Sequence, residues 1–227
     1  MKNRSPLANW APAKRNRMRR MKPWGLLVHT SGRGIVARAN KERVPAIVLA
    51  LLWYQRKSGV HYVVGWDGTV HQMLEDDRRG AHVGVSLIDR ARYLSGRWLR
   101  NKVIKGRAVD LWRRRWKGYK SPQHLYPTQS PNSCYIGIEM VPLEEEDPET
   151  GLWFTDAQHA AVAALAEDLA ERHDWPENWK ETPRLLGHED VSPLTRWDNQ
   201  GGWDPGALRP RPRWSWARML EHTLPKC

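Results

Sequence analysis

Short apolar runs recur along the chain, and most of them end in small or polar turn residues. "WGLLVHTSG" (residues 24–32) has a Leu-Leu-Val centre closed by Thr-Ser-Gly, which predicts a buried strand with His29 at its C-terminal end. "VPAIVLALLWYQRKS" (44–58) has Pro45 at an N1-like position, strong helix formers, and basic residues near its end, so it reads as a helix. "GVHYVVGWDGTVHQML" (59–74) places two β-rich runs around Gly65-Trp66-Asp67-Gly68, and the Asp-Gly pair predicts a hairpin. "SCYIGIEMV" (133–141) reads as a second buried strand. Its alternation puts Ile136, Ile138 and Met140 on one face and Gly137, Glu139 and Val141 on the other.

"TDAQHAAVAALAEDLAERH" (155–173) is the clearest helix. Thr155 and Gln158 form a capping box, and Val162, Leu165, Ala166 and Leu169 make a stripe at helical spacing. "RLLGHED" is another short apolar run ending in a histidine, His188, and "RWSWARMLEHTL" (213–224) reads as a closing helix. Strands interleaved with helices and long connections predict one α/β domain: a mixed central β-sheet flanked by helices.

Charge divides the 227 residues. Residues 1–22 hold eight Lys/Arg and no acid, lack an apolar period, and read as a flexible basic arm. The stretch at about 86–131 carries twelve Lys/Arg against two acids and reads as a basic insertion within a domain spanning 23–224. With a total net charge of +12, these two segments are attached to a body that is itself mildly acidic. Such segments attract polyanions, including anionic wall polymers, membrane surfaces and nucleic acid.

Several classes drop out. No run of about 18 apolar residues could span a membrane. The N-terminus has basic residues but no apolar core after them, so no secretory signal is expected and the chain reads as made in the cytoplasm. Cys134 and Cys227 lie far apart, without a CxxC pair or a disulfide framework. Neither GxGxxG nor GxxxxGK occurs, so nucleotide-phosphate binding finds no support. Fourteen Trp stand against one Phe; their flat faces suit surfaces that hold sugar rings, and they fill cores equally well.

Two histidines share one context, a short apolar strand followed by His: His29 after Leu-Leu-Val and His188 after Leu-Leu-Gly. Strand C-termini in α/β sheets open onto the functional crevice, so both could reach one point. Two neutral imidazoles and an Asp carboxylate make a three-ligand zinc site; two polar strand caps are the plainer reading. Glu139 lies inside an apolar strand, where a buried unpaired carboxylate costs several kcal/mol. It therefore faces water, a partner or a site, and beside an activated water it could act as general base.

"LLVHTSG", "VHYVVGWDGTVHQM", "RRGAHVG", "YIGIEMV" and "LLGHEDVSP…WDPG" occur in the order seen in zinc-dependent N-acetylmuramoyl-L-alanine amidases of type 2. This family is similar to the peptidoglycan recognition proteins and many phage endolysins. The resemblance covers about residues 24–220, interrupted by 86–131. It implies hydrolysis of the amide between N-acetylmuramic acid and the L-alanine of the peptidoglycan stem, with one Zn2+ per chain in a shallow groove. His29 and His188 match the first two ligands, and Glu139 matches the acid that handles the attacking water. His82 falls where a substrate-groove residue is expected, and His61 reads as structural. The family's tyrosine position holds Val60, which moves the base role toward Glu139.

The third ligand has two candidates. Counting from His188 without gaps points to Asp198, whereas matching Asp-Pro-Gly points to Asp204, the preferred choice because Pro and Gly fix the turn that presents the carboxylate. Arg196 stands as the cation for the tetrahedral oxyanion. The resemblance further implies a monomer acting on the cell wall after release at lysis, or in the cytoplasm as a recycling enzyme. Two other classes stay open: a peptidoglycan-binding module without activity, and a basic nucleic-acid-binding protein, although no specific nucleic acid is expected because no DNA-reading motif is visible.

Overall fold

The computed structural model describes residues 3–13, 19–31, 33–57, 59–83, 131–182, 184–191, 204–206 and 213–223. In chain order its elements are β1 (Asn9–Trp10), β2 (Gly25–Thr30), α1 (Arg33–Glu42), α2 (Ala46–Lys57), β3 (Tyr62–Val64), β4 (Val70–Gln72), β5 (Tyr135–Met140), α3 (Asp156–Arg172), β6 (Leu185–Gly187), α4 (His188–Val191) and α5 (Trp216–Glu221). The six strands make one sheet in the order β1-β4-β3-β5-β2-β6. Only β3–β4 pairs antiparallel; the remaining pairs are parallel.

β2 and β5 are apolar almost throughout because both faces of the central sheet are covered, as parallel strands require. One face packs on α3, whose Val162, Leu165, Ala166 and Leu169 are all fully buried with Ile136, Ile138 and Met140. The other face packs on α1 and α2 through Val36, Ala39, Ala46, Ala50 and Tyr54, against Val63 and Val141. The alternation expected in β5 is thus realised, and Glu139 lies on the α1–α2 side, paired in register with Val63 of β3.

Local signals act as the sequence predicts. Gly68 closes the β3–β4 hairpin at φ +79°, where a side chain would be strained, and Asp67 accepts from the Thr69 amide. Thr155 and Gln158 cap α3 reciprocally, and the buried Gln158 amide donates on to Val141 O (2.8 Å). Ser215 caps α5, and the preceding Trp214 stacks on His159 of α3 with ring centroids 4.0 Å apart. Trp153, Trp175, Trp179 and Trp214 belong to the core, so these tryptophans serve packing.

Two findings depart from the sequence reading. α1 was not expected; its buried side consists of little more than Val36 and Ala39. The N-terminal segment expected to be flexible is, where described, fastened to the sheet. β1 runs parallel to β4, Ala11 and Ala13 amides donate to Gln72 O and Met73 O (2.8 and 2.9 Å), and Ser5 Oγ donates to Asp168 on α3 (2.7 Å). Ser5 and Ala13 are buried. The insertion at about 86–131 lies almost wholly outside the described residues. Among the described residues, no helix is long and apolar enough to cross a membrane.

A buried polar network ties this segment to the hairpin and α3. Asp76 accepts from the Tyr62 hydroxyl (2.6 Å), from Gln72 (3.1 Å) and from Arg172, which also pairs with Asp168 (2.7 Å).

Removing residues 1–13 deletes at least four partly or fully buried hydrogen bonds, each worth about 1 kcal/mol net. Urea denaturation is expected to show a loss of about 2–4 kcal/mol; an unchanged midpoint would mean the segment contributes nothing to the fold. Acid should also destabilise the protein. Burial lowers His159 from 6.5 to about 4, so the folded state keeps it neutral while the unfolded chain takes up a proton. The stabilisation is complete above about 6.5 and is lost as pH falls toward 4. Stability measured across this range should fall less steeply in His159→Gln, and an identical slope would refute the assignment.

Candidate metal centre

The register of three adjacent strands creates the site. His29 on β2 pairs directly with Glu139 on β5, and Val28 pairs with Gly187 on β6, so the chain leaving β6 brings His188 beside His29. His188 is also the first residue of α4, where the strand turns away. His29, Glu139 and His188 therefore sit in one row at the C-terminal edge of the sheet, all less than a tenth exposed.

Asp204 reaches this row from a separate loop and is held at both ends. Its backbone carbonyl accepts from the Glu189 amide (2.9 Å), and its carboxylate Oδ1 accepts from the Thr30 amide (2.6 Å). The approach needs Gly187: a Cβ there would lie 2.6 Å from Pro205 Cδ. Oδ2 of Asp204 then lies 2.9 Å from His188 Nδ1 and 3.5 Å from His29 Nδ1, and the two Nδ1 atoms are 3.1 Å apart.

This triangle fits a metal ion. Ligands at 2.0–2.2 Å in tetrahedral array have edges of about 3.3–3.5 Å, close to the three distances here, and two imidazoles with one carboxylate is a donor set of catalytic zinc sites. Burial disfavours the ionised Asp204, but the His188 hydrogen bond and the adjacent His29 imidazole outweigh it and hold the carboxyl well below the usual range. The acid is therefore ionised and ready to bind a cation. Arg196 and Asp198, the other residues considered from sequence, lie outside the described residues.

Glu139 has a partner with no local sequence signal. The Tyr54 hydroxyl of α2 lies close to it, and burial, followed by the Glu139 charge, pushes the Tyr54 pKa far up, so the phenol stays protonated. Tyr54 and Glu139 meet only because α2 covers this face of the sheet.

His61 is structural, as expected. It is fully buried; the Gly137 amide donates to its Nδ1 (3.0 Å), and its Nε2 donates to Arg78 O (2.7 Å). His82 differs from the groove residue expected from sequence. It lies behind His29, its Nε2 on Tyr135 O (3.1 Å) and its Nδ1 on His29 Nε2 (3.0 Å). Both ring nitrogens are engaged inside the protein, which leaves none for a substrate. Burial first, then the nearby His29 and His61, hold its pKa well below 6.5, so the ring is neutral.

The family profile for N-acetylmuramoyl-L-alanine amidase (Amidase_2) matches residues 19–207. No curated protein sequence matches the chain. Among solved structures, a selenomethionine derivative of AmpD is similar in fold, with a TM-score of 0.51 and 20% identity over 99% of this chain and 98% of the other. AmpD of Citrobacter freundii (TM-score 0.44, 19% identity, 96% and 90% covered) is more distantly similar. So is the Ph2119 endolysin from a Thermus scotoductus bacteriophage (TM-score 0.42, 14% identity, 92% and 89% covered). With a profile that spans most of its length, the chain belongs to the Amidase_2 family of N-acetylmuramoyl-L-alanine amidases.

Proposed function

We propose that this protein is a zinc-dependent peptidoglycan amidase that hydrolyses the bond between N-acetylmuramic acid and the L-alanine of the stem peptide. The observation that carries the proposal is the convergence of His29, His188 and Asp204 on one point, with Glu139 in the next strand beside them. One zinc per chain held by these three residues would supply Lewis-acid activation of a water and of the scissile carbonyl.

The protein's own groups do the proton work. Glu139 takes a proton from the attacking water and returns it to the alanine nitrogen as the C–N bond breaks. Arg196 is proposed as the cation that stabilises the oxyanion. A receptor that binds peptidoglycan without cleaving it would not need this full set, so the complete donor triad favours catalysis.

A lytic, endolysin-type role fits the charge. A net +12 draws the protein to anionic wall polymers, an attraction screened beyond about 8–10 Å at physiological salt. It should therefore weaken steeply as salt rises. A recycling enzyme acting on small soluble muramyl-peptides has no use for such attraction.

Incubation with purified peptidoglycan should release stem peptides with a free L-alanine amine, identified by mass spectrometry, and a chelator should abolish the release. Cleavage at a glycosidic bond, or full activity in chelator, would contradict the proposal. His29→Ala or His188→Ala should cost more zinc affinity than the roughly 10–100-fold of an outer-shell change. Stoichiometric tight zinc in the double variant would rule out these ligands. Glu139→Gln should keep zinc and fold and lose on the order of 10²–10⁴-fold in rate; activity within about threefold of wild type would remove Glu139 from proton transfer.

A further inference from the structure

Behind the ligand row lies a chain of hydrogen bonds whose direction is set from one end. Tyr135 O can only accept, so His82 Nε2 carries the proton in that contact (3.1 Å). With its proton on Nε2, the buried His82 ring presents Nδ1 to His29 as the acceptor, and the His29 nitrogen 3.0 Å from it, Nε2, is then the donor. A neutral imidazole has one N–H. His29 Nδ1 is therefore the bare nitrogen, and it is the atom that faces His188 Nδ1 and Asp204 Oδ2.

The ring that sets this direction sits in a made-to-measure slot. A Cβ on Gly137 would lie 2.4–2.6 Å from three atoms of the His82 ring, and one on Gly80 would lie 2.4 Å from its Cδ2. Gly137 is on β5, two residues before Glu139 and in register with Leu27, two before His29, so the ring fills the space a side chain would take on the site's own face of the sheet. The backbone is pinned as well. Asn132 Oδ1 accepts from the His82 and Val83 amides (2.9 and 3.0 Å), and its Nδ2 donates to Val83 O (2.8 Å). The His61 ring closes the remaining side edge-on, centroids 5.7 Å apart.

We propose that His82 is a positioning residue that fixes the tautomer and ring orientation of His29, so that His29 offers Nδ1 to a metal, with Gly80, Gly137 and Asn132 as the seat that holds it. This deepens the proposed function and rests on it for the metal, but the tautomer itself is a property of the protein alone. Ligating histidines commonly donate their other N–H to a carboxylate or carbonyl. Here a second imidazole takes that place and passes the constraint back to a backbone carbonyl.

The test uses the full chain. In the zinc-free protein, 15N NMR of the histidine rings should show His29 protonated at Nε2 and bare at Nδ1. His82→Ala should abolish that preference and weaken binding of Zn2+ about 10–100-fold in a chelator competition. His82→Gln should recover most of both, since an amide oxygen can accept from His29 Nε2 and the amide N–H can donate to Tyr135 O. Gly137→Ala should reproduce the His82→Ala result by evicting the ring. A wild-type His29 carrying its proton on Nδ1 would overturn the proposal. So would folded His82→Ala with unchanged His29 shifts and zinc affinity within about twofold. If wild type binds no zinc, the proposed function fails, whereas the NMR result on His29 still decides this proposal.

Discussion

The site depends on one row of backbone register. Parallel pairing of β5 with β2 and of β2 with β6 sets His29 opposite Glu139 and delivers His188 alongside, before any side-chain contact is made. A shift of one residue in β5 would turn Glu139 to the α3 face and put Ile138 or Met140 into the site. Register here is held by burial. The apolar residues of β2 and β5 pack on α3 on one side, and the site's face is covered by α1 and α2, so slippage would expose Ile and Leu and bury the charge.

That row concentrates polar groups where water is scarce, which costs several kcal/mol per uncompensated charge. The compensation is visible for each member. Asp204 accepts from the Thr30 amide and lies 2.9 Å from His188 Nδ1, Glu139 lies beside the Tyr54 hydroxyl, and His29 Nε2 meets His82 Nδ1 at 3.0 Å. The Nδ1 atoms of His29 and His188 lie 3.1 Å apart beside the Asp204 carboxylate, and a divalent ion would satisfy all three ligand atoms at once. The same logic explains the glycines near the site: Gly187 admits Pro205, and Gly137 admits the His82 ring.

Much of this was legible in the sequence because it is local. A Leu-rich run ending in His marks β2 and β6, the Asp-Gly turn marks the hairpin, and Thr155 with Gln158 marks the start of α3. What was not legible depends on contacts between distant residues. β1 is two residues long and owes its place to pairing with β4, about sixty residues on, so its basic surroundings read as an unattached arm. α1 buries too few apolar residues to show a period. His82 was expected in the groove from its place in the family resemblance, whereas its position is decided by a glycine fifty-five residues away. The choice of Asp204 rested on its Pro-Gly turn, and its position rests on amides of Thr30 and Glu189 that no spacing rule reveals.

The central claim is that His29, His188 and Asp204 form one zinc centre. Anomalous diffraction from a zinc-loaded crystal tests it most directly. A single strong peak per chain is expected, about 2.0–2.2 Å from His29 Nδ1, His188 Nδ1 and an Asp204 carboxylate oxygen. A peak ligated by other residues, Asp198 among them, by Nε2 of His29, or no peak at this row would contradict it.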